Sequence, residues 1–407
     1  MMPSKIFPDV PHCQKPPPTR EPLEFADLAI IDLAKLTTPE GRASLINEVR
    51  DAMATAGFFY AINHGYSQAQ VLPFQKRRTS KPNIYPCAKT DRIFDIADVP
   101  FSQVPPEEKK EYLGSEKETG TYQGYKRRQH WHIQGGILDQ VEHYNINRDV
   151  HLYQHPEALR PLLPEIAAFA RHNHFNVLFP VLRLLALGLE LPEDSFVKMH
   201  KFDAASATSV RFMKYYPRTE EEEEKSANVW LKGHTGKLVY PSILYVPQAH
   251  HGSYPSSDFG SITILWSQPV SGLQVLGKDD QWRWVKHIDN ALVINAGDAM
   301  ELVSGGYYRA TIHRVVQPPA DQLNLERHGA FYFSFLDDDA KLAPVLESPV
   351  LQRHGVAKNL EQDKAPTMEA WRKARTTSYG VVELVQSASE RRVEEEIIEG
   401  VLVKHYN

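Results

Sequence analysis

The sequence predicts a mainly β protein with flanking helices, built on a sandwich or jelly-roll core. Two observations carry that expectation. After Asp194, short runs rich in β-branched and aromatic residues follow one another with turn residues between them. Before Asp194, two stretches carry apolar residues at helical spacing. Alternating β-α units would instead place a helix between each pair of runs.

The elements follow in order. A flexible Pro-rich lead-in occupies residues 1–22, and Ala29–Leu33 is a short apolar strand. Pro39–Ala56 carries Leu45, Ile46, Val49 and Met53 on one helical face. Gly57–Gly65 is an aromatic strand ending in a turn, and a helical zone from Pro156 to Leu191 breaks near Pro180. The β-rich runs are Val210–Tyr216, Ser261–Trp266, Leu273–Leu276, Trp282–His287, Ala291–Asn295, Arg309–Val316 and Gly329–Phe335. Gly297-Asp298 and Gly305-Gly306 mark turns among them. Glu220–Glu224 reads as a solvated loop, and the chain from Pro366 as a helix packed on the body. The implied organisation is the lead-in, an N-terminal α/β region over 23–200, a β core over 201–345 and a helical segment over 346–407.

Composition narrows the function classes. The 407 residues are 42% hydrophobic, enough for a large core. A net charge of −5 gives no attraction to nucleic acid or an anionic membrane. Cys13 and Cys87 are the only cysteines, so no disulfide framework supports the fold and a reducing compartment fits. The N-terminus lacks a basic start followed by an apolar segment. Val177–Leu191 contains Pro180, Arg183 and Glu190, so it reads as a buried helix rather than a membrane span. The expectation from composition is a cytosolic globular protein.

The β-rich half holds candidate metal ligands. Asp258 opens one strand and His313 lies on a later one. Two His and one carboxylate can hold Fe(II) on one face and leave the other open. Strand alternation would put the second His two residues before Asp258, but Ser256 stands there. Taken singly, His313 reads as a core histidine and Asp258 as a turn residue.

Over nearly its whole length the chain resembles the isopenicillin N synthase-like branch of the Fe(II)/2-oxoglutarate dioxygenases. The resemblance runs through Gly57-Phe58-Phe59-Tyr60, His64-Gly65, Tyr215-Tyr216-Pro217, Gly272-Leu273-Gln274-Val275, Trp284-Val285, Asn295-Ala296-Gly297-Asp298 and His313-Arg314-Val315. It implies a double-stranded β-helix (jelly-roll) core, Fe(II), and 2-oxoglutarate and O2 as co-substrates. The family's metal motif is His-Thr-Asp-Phe-Gly. Here Gly233-His234-Thr235 is separated from Asp258-Phe259-Gly260 by Gly236–Ser257, and deleting that stretch restores the motif. The resemblance therefore implies an iron triad of His234, Asp258 and His313, with His250 and His251 inside the stretch as competitors.

It further implies that Arg327 anchors the distal carboxylate of 2-oxoglutarate, for which a buried guanidinium is suited. The family's Ser two residues on is Gly329 here. Tyr216 matches the position that offers a hydroxyl to the same co-substrate; a plain strand tyrosine is the alternative. Tyr122, Tyr125, Trp131, His132, Tyr144, Phe331 and Phe333 are candidates to face substrate, though such residues more often form core. The implied reaction oxidises an unactivated C–H and yields succinate and CO2. A same-fold oxidase that does not use 2-oxoglutarate, and an inactive member with a disrupted metal motif, are the alternatives.

The stretch 236–257 has the marks of a retained intron. Gly236-Lys237-Leu238 can be encoded GGTAAGTTA, which contains a common intron start. Ser257-Asp258 can be encoded TCAGAY, which supplies the closing AG. Joining the first G of the Gly236 codon to AY regenerates Asp. Val71–Lys89 permits the same construction, and its removal joins Ser67–Gln70 to Thr90–Ile96 in one amphipathic run. Genuine surface loops are the alternative, since loops tolerate insertion at modest entropic cost. Loop tolerance does not explain an insertion within a metal motif. The mature transcript is expected to lack the codons for both stretches; messages that all retain them would contradict the intron reading.

Overall fold

A computed structural model describes residues 8–66, 89–114, 119–133, 136–234, 258–356, 365–378, 385–386, 393–398 and 401–406. The two stretches read above as inserted lie outside these residues, except for Lys89.

Two sheets form the core. The larger runs in spatial order β1 (Ile30–Asp32), β2 (Phe58–Ile62), β10 (Leu292–Ala296), β7 (Ile262–Trp266), β12 (Arg327–Ser334), β5 (Ser209–Tyr215), β4 (Val141–Asn147) and β3 (Gly124–Lys126). The smaller is β6 (Val229–His234), β11 (His313–Val316), β8 (Leu273–Leu276) and β9 (Trp282–Trp284). Only β1 with β2 is a parallel pair within these two sheets. The helices are α1 (Pro39–Thr55), α2 (Lys89–Ser102), α3 (Pro106–Glu111), α4 (Leu163–His172), α5 (Phe179–Gly188), α6 (Glu220–Lys225), α7 (Asp298–Val303), α8 (Pro349–Arg353) and α9 (Met368–Ser378).

Burial on both faces explains the continuous apolar strands. Met213, Leu265, Val293 and Phe331 of the larger sheet pack with Trp230, Leu273, Val275 and Val315 of the smaller. The alternate residues Ile264, Trp266, Ile294 and Tyr332 belong to a second core with Leu45 and Val49 of α1 and Leu182 of α5. This is the jelly roll the sequence implies, with helices covering one side.

Several local expectations are revised. The helical zone does not break at Pro180: a π-helical segment, Asn173–Leu178, links α4 to α5. Pro180 sits in the first turn of α5, where its missing N–H costs little. The glutamate run forms α6, closed by a Thr219–Glu222 capping box. Its Glu223 is buried and accepts the Trp230 indole N–H, so this run is not simply solvated. The strand expected over Arg309–Val316 begins only at His313, because Arg309 N–H bonds instead to Met53 O at 3.1 Å. The last segment is helical only in part: β13 (Val385–Gln386), β14 (Val393–Ile398) and β15 (Val401–Tyr406) form an antiparallel sheet. Val, Ile and Tyr dominate those strands, and Gly400 between two of them is a turn signal that outweighs the charged run.

The Pro-rich lead-in is hydrogen-bonded to the body at several points of its described length. Cys13 N–H bonds to Asp95 at 2.8 Å, and Gln322 donates to Pro17 O at 2.9 Å. Close by, Asp98 of α2 accepts from His328 at 2.8 Å and from Lys214 at 3.0 Å, clamping the helix to β12 and β5. Burial lowers the His328 pKa, but hydrogen bonds to Asp98 and Cys13 outweigh it and raise the imidazole to about 9. A raised pKa stabilises the fold fully below the unfolded value near 6.5 and loses that contribution as pH rises through about 9. The contribution is on the order of 3 kcal/mol. Between about pH 7 and about pH 10, thermal stability is expected to fall more steeply for the unaltered protein than for His328→Gln; parallel slopes would contradict the clamp.

Candidate functional site

The cavity between the sheets gathers most of the chemistry-bearing residues. The side that carries the candidate metal ligands starts at β11, which lies between β6 and β8. The register sets His313 opposite His234 of β6 and opposite Val275 of β8. His313 Nδ1 lies 3.0 Å from the Thr311 carbonyl, which makes Nδ1 the donor and Nε2 the acceptor of the ring. That Nε2 is 3.8 Å from Asp258 Oδ2, and Phe58 of β2 packs edge-on against the ring at 5.3 Å.

Asp258 is held from two directions. Asn295 Nδ2 donates to its Oδ2 at 2.7 Å. Asp298 N–H bonds to its backbone carbonyl at 2.7 Å, and Ala299 N–H to Gly260 O at 3.0 Å. Those two contacts need the bare backbone of Gly297, where a Cβ would lie 2.2 Å from Asp258 O. A carboxylate oxygen and an imidazole nitrogen at this separation can bind one divalent ion, with each bond about 2.1 Å. The donor set, one oxygen and one nitrogen with His234 opposite in the ladder, suits a non-haem Fe(II) centre. Among the described residues no three such side chains converge; the side chain of His234 is outside them.

The second polar feature is Arg327, at the start of β12 and 3% exposed. Its Nε donates to Val270 O at 3.3 Å, and its guanidinium lies 5.2 Å from the Tyr215 ring. Nη1 has no hydrogen-bond partner among the described residues. Burial lowers its pKa, opposed by Tyr215. An unmatched buried guanidinium is costly, and a ligand carboxylate would match it. Gly272 makes room for it: a Cβ there would come within 3.2 Å of Arg327 Cδ. At Gly329 the space of a side chain is taken by Phe331, whose ring would lie 2.4 Å from a Cβ.

Asp258, His313 and Arg327 line one cavity of about 1070 Å³ that is partly open to solvent. Of the residues expected to face substrate, Tyr122, Trp131, Phe331 and Phe333 line it too. Tyr125 does not: it is buried, packs tilted against Tyr144 at 4.3 Å and donates to Pro100 O. Tyr144 is likewise turned away, bonded to His155 at 2.7 Å, and His132 is exposed. Tyr216 is also outside the cavity; its hydroxyl donates to Glu142 at 3.0 Å and Arg128 covers its ring at 4.2 Å.

Of the adjacent pair Tyr215 and Tyr216, it is Tyr215 that reaches the cavity. Arg211, Met213 and Tyr215 alternate along β5 and line the same wall. That period was readable in the sequence. Asn295 belonged to a recognised motif, but nothing in one sequence marks its side chain as the partner of Asp258. Phe58 was visible only as one of several strand aromatics.

Known proteins resemble this chain in both halves. Residues 208–323 match the model of the 2OG-Fe(II) oxygenase superfamily, and residues 28–164 match that of the non-haem dioxygenase in morphine synthesis N-terminal region. Jasmonate-induced oxygenase 3 of Arabidopsis thaliana is 27% identical over 320 residues, covering 75% of this chain and 72% of that protein. The 2-oxoglutarate-dependent dioxygenase frbH of a Dothideomycetidae species is 32% identical over 220 residues, 52% of this chain and 59% of its own length. Among solved structures, a full-length Neurospora crassa protein crystallised in complex with alpha-KG superposes with a TM-score of 0.64 at 19% identity. The match covers 89% of this chain and 100% of that one.

Proposed function

Because this chain belongs to the Fe(II)/2-oxoglutarate oxygenase superfamily, we propose that His234, Asp258 and His313 hold the iron and that Arg327 anchors 2-oxoglutarate. The enzyme is a 2-oxoglutarate-dependent dioxygenase acting on a small molecule with O2. The observation that carries the residue assignment is the single cavity holding Asp258, His313 and the buried Arg327. Bound iron supplies the redox chemistry that couples O2 and decarboxylation of 2-oxoglutarate, giving succinate and CO2, to oxidation of a substrate C–H.

The chain's own residues prepare that chemistry. Thr311 O fixes the His313 tautomer, and Asn295 orients Asp258, so neither donor has to reorganise when iron binds. The Arg327 fork pairs with the distal carboxylate, and Tyr215 takes the part the sequence suggested for Tyr216. Phe331 stands where a second hydroxyl contact would come from Ser in place of Gly329. Tyr122, Trp131, Phe331 and Phe333 form the apolar wall that holds substrate carbon near the iron and excludes water. An oxidase without 2-oxoglutarate would leave Arg327 Nη1, which has no partner among the described residues, unmatched.

We further infer a cytoplasmic monomer that binds neither nucleic acid nor membrane. Supporting this, net charge is −5, and among the described residues no helix is long and apolar enough to cross a membrane. For this function we divide the chain at residues 22, 200 and 345, into lead-in, N-terminal region, catalytic core and C-terminal segment.

His313→Ala is expected to abolish stoichiometric Fe(II) binding with the fold retained by circular dichroism; retained iron would remove His313 from the site. Arg327→Ala should weaken 2-oxoglutarate binding by roughly 2–5 kcal/mol, the cost of stranding one partner of a buried charged pair. Unchanged calorimetric affinity would point to a different anchor.

A further inference from the structure

Arg327 has open space on more than one side. The cavity described above adjoins a second one of about 340 Å³, also partly open to solvent, whose walls include Ser267, Val270, Ser271, Gly272 and Val285. Leu265, Leu273 and Arg327 line both cavities, so the Arg327 side chain is part of the partition between them. Among the described residues that line the second cavity there is no Asp or Glu, so no carboxylate there competes for the guanidinium. Its other polar groups are engaged or in solvent: Ser267 Oγ lies 2.7 Å from His287 Nδ1, and Lys286 is exposed.

The contacts that hold the guanidinium are weak. Its Nε–Val270 O bond is 3.3 Å long, beyond the usual length of about 3.0 Å. Val270 belongs to the wall of the second cavity, and Nη1 has no partner among the described residues. Beside the stem, Gly272 presents bare backbone; a Cβ there would stand 3.2 Å from Arg327 Cδ and 3.3 Å from Nε and would obstruct it. At Gly329 no hydroxyl is offered, and the Phe331 ring fills the space of a side chain. The cation is therefore buried, but the space beside it is not packed.

We propose that the co-substrate site takes the 2-oxo diacid one methylene longer than 2-oxoglutarate as well as 2-oxoglutarate itself, with Arg327 retreating into the second cavity. The inference rests on the reading of Arg327 as the co-substrate anchor. A 2-oxo acid chelated at its keto end has that end fixed, so an added methylene carries the distal carboxylate deeper. A closed site rejects one methylene too many by about 10–200-fold. Here the guanidinium follows the carboxylate and keeps its paired geometry, because the space it moves into is open and holds no competing anion. Val285 and Ser271 set the depth of that space, since both line the second cavity and not the first.

The test is calorimetric binding of 2-oxoglutarate and 2-oxoadipate to the protein loaded with Mn(II), which is inert to turnover. The two affinities are expected to agree within about tenfold, the smallest penalty that a closed site imposes. Val285→Phe, which fills the second cavity, is expected to weaken 2-oxoadipate by about tenfold or more and to leave 2-oxoglutarate within about threefold. Ser271→Leu, on another wall of that cavity, takes its place if Val285→Phe loses the native circular dichroism. A 2-oxoadipate affinity more than about tenfold below that of 2-oxoglutarate in the unaltered protein would overturn the proposal. So would a filling variant that leaves 2-oxoadipate unchanged or weakens both acids equally. Failure of both acids to bind would overturn the anchor reading and this proposal with it, whereas 2-oxoglutarate bound alone overturns only the proposal.

Discussion

The site depends on a backbone contact: the turn at Gly297-Asp298 closes onto Asp258-Phe259-Gly260. Asp298 N–H on Asp258 O and Ala299 N–H on Gly260 O fix the start of β7, and the absence of a side chain at Gly297 lets them approach. Asn295, just before that turn at the end of β10, then reaches the Asp258 carboxylate. The carboxylate faces His313 because β10 and β7 are neighbours in one sheet, whereas β11 belongs to the sheet opposite. Removing the contact would free a single-residue ligand between two strands. No other described hydrogen bond replaces the one that Asn295 makes to Asp258.

The cavity follows from the same two-sheet architecture. Strand alternation sends Leu265, Met213 and Phe331 inward and Ile264, Phe212 and Tyr332 toward the helices. The inward set could have been wholly apolar, and most of it is. Thr263, Asn295, Arg211 and Arg327 are among the departures, and each lines the space between the sheets. A polar group buried in such a place destabilises the fold unless it gains a partner, and Nη1 of the buried Arg327 has none among the described residues. The aromatic wall beside them gives the ligand its apolar contact and limits the water that would compete for the same donors.

Much of this was legible in the sequence, for identifiable reasons. The strands β5, β7, β10 and β12 declare themselves because burial on both faces makes them short, apolar and separated by turns. Asp258, His313 and Arg327 were readable through a motif order that one insertion does not disturb. Tyr216 was chosen over Tyr215 because two adjacent tyrosines look alike until the strand period is counted; the structure gives one to Glu142 and the other to the cavity. Glu223 looked solvated because its partner, Trp230, lies a helix turn and a strand start away. The C-terminal strands were hidden by the glutamates of Glu394–Glu396, which read as a charged face.

The most direct test of the central claim is the visible spectrum of the protein under anaerobic conditions, titrated with Fe(II) and then with 2-oxoglutarate. A keto acid chelated to iron at the cavity residues gives a charge-transfer band that requires both additions. The account predicts that this band appears at one equivalent of each and is absent when succinate replaces 2-oxoglutarate. A protein that binds both components yet shows no such band would contradict the placement of iron and co-substrate in one cavity.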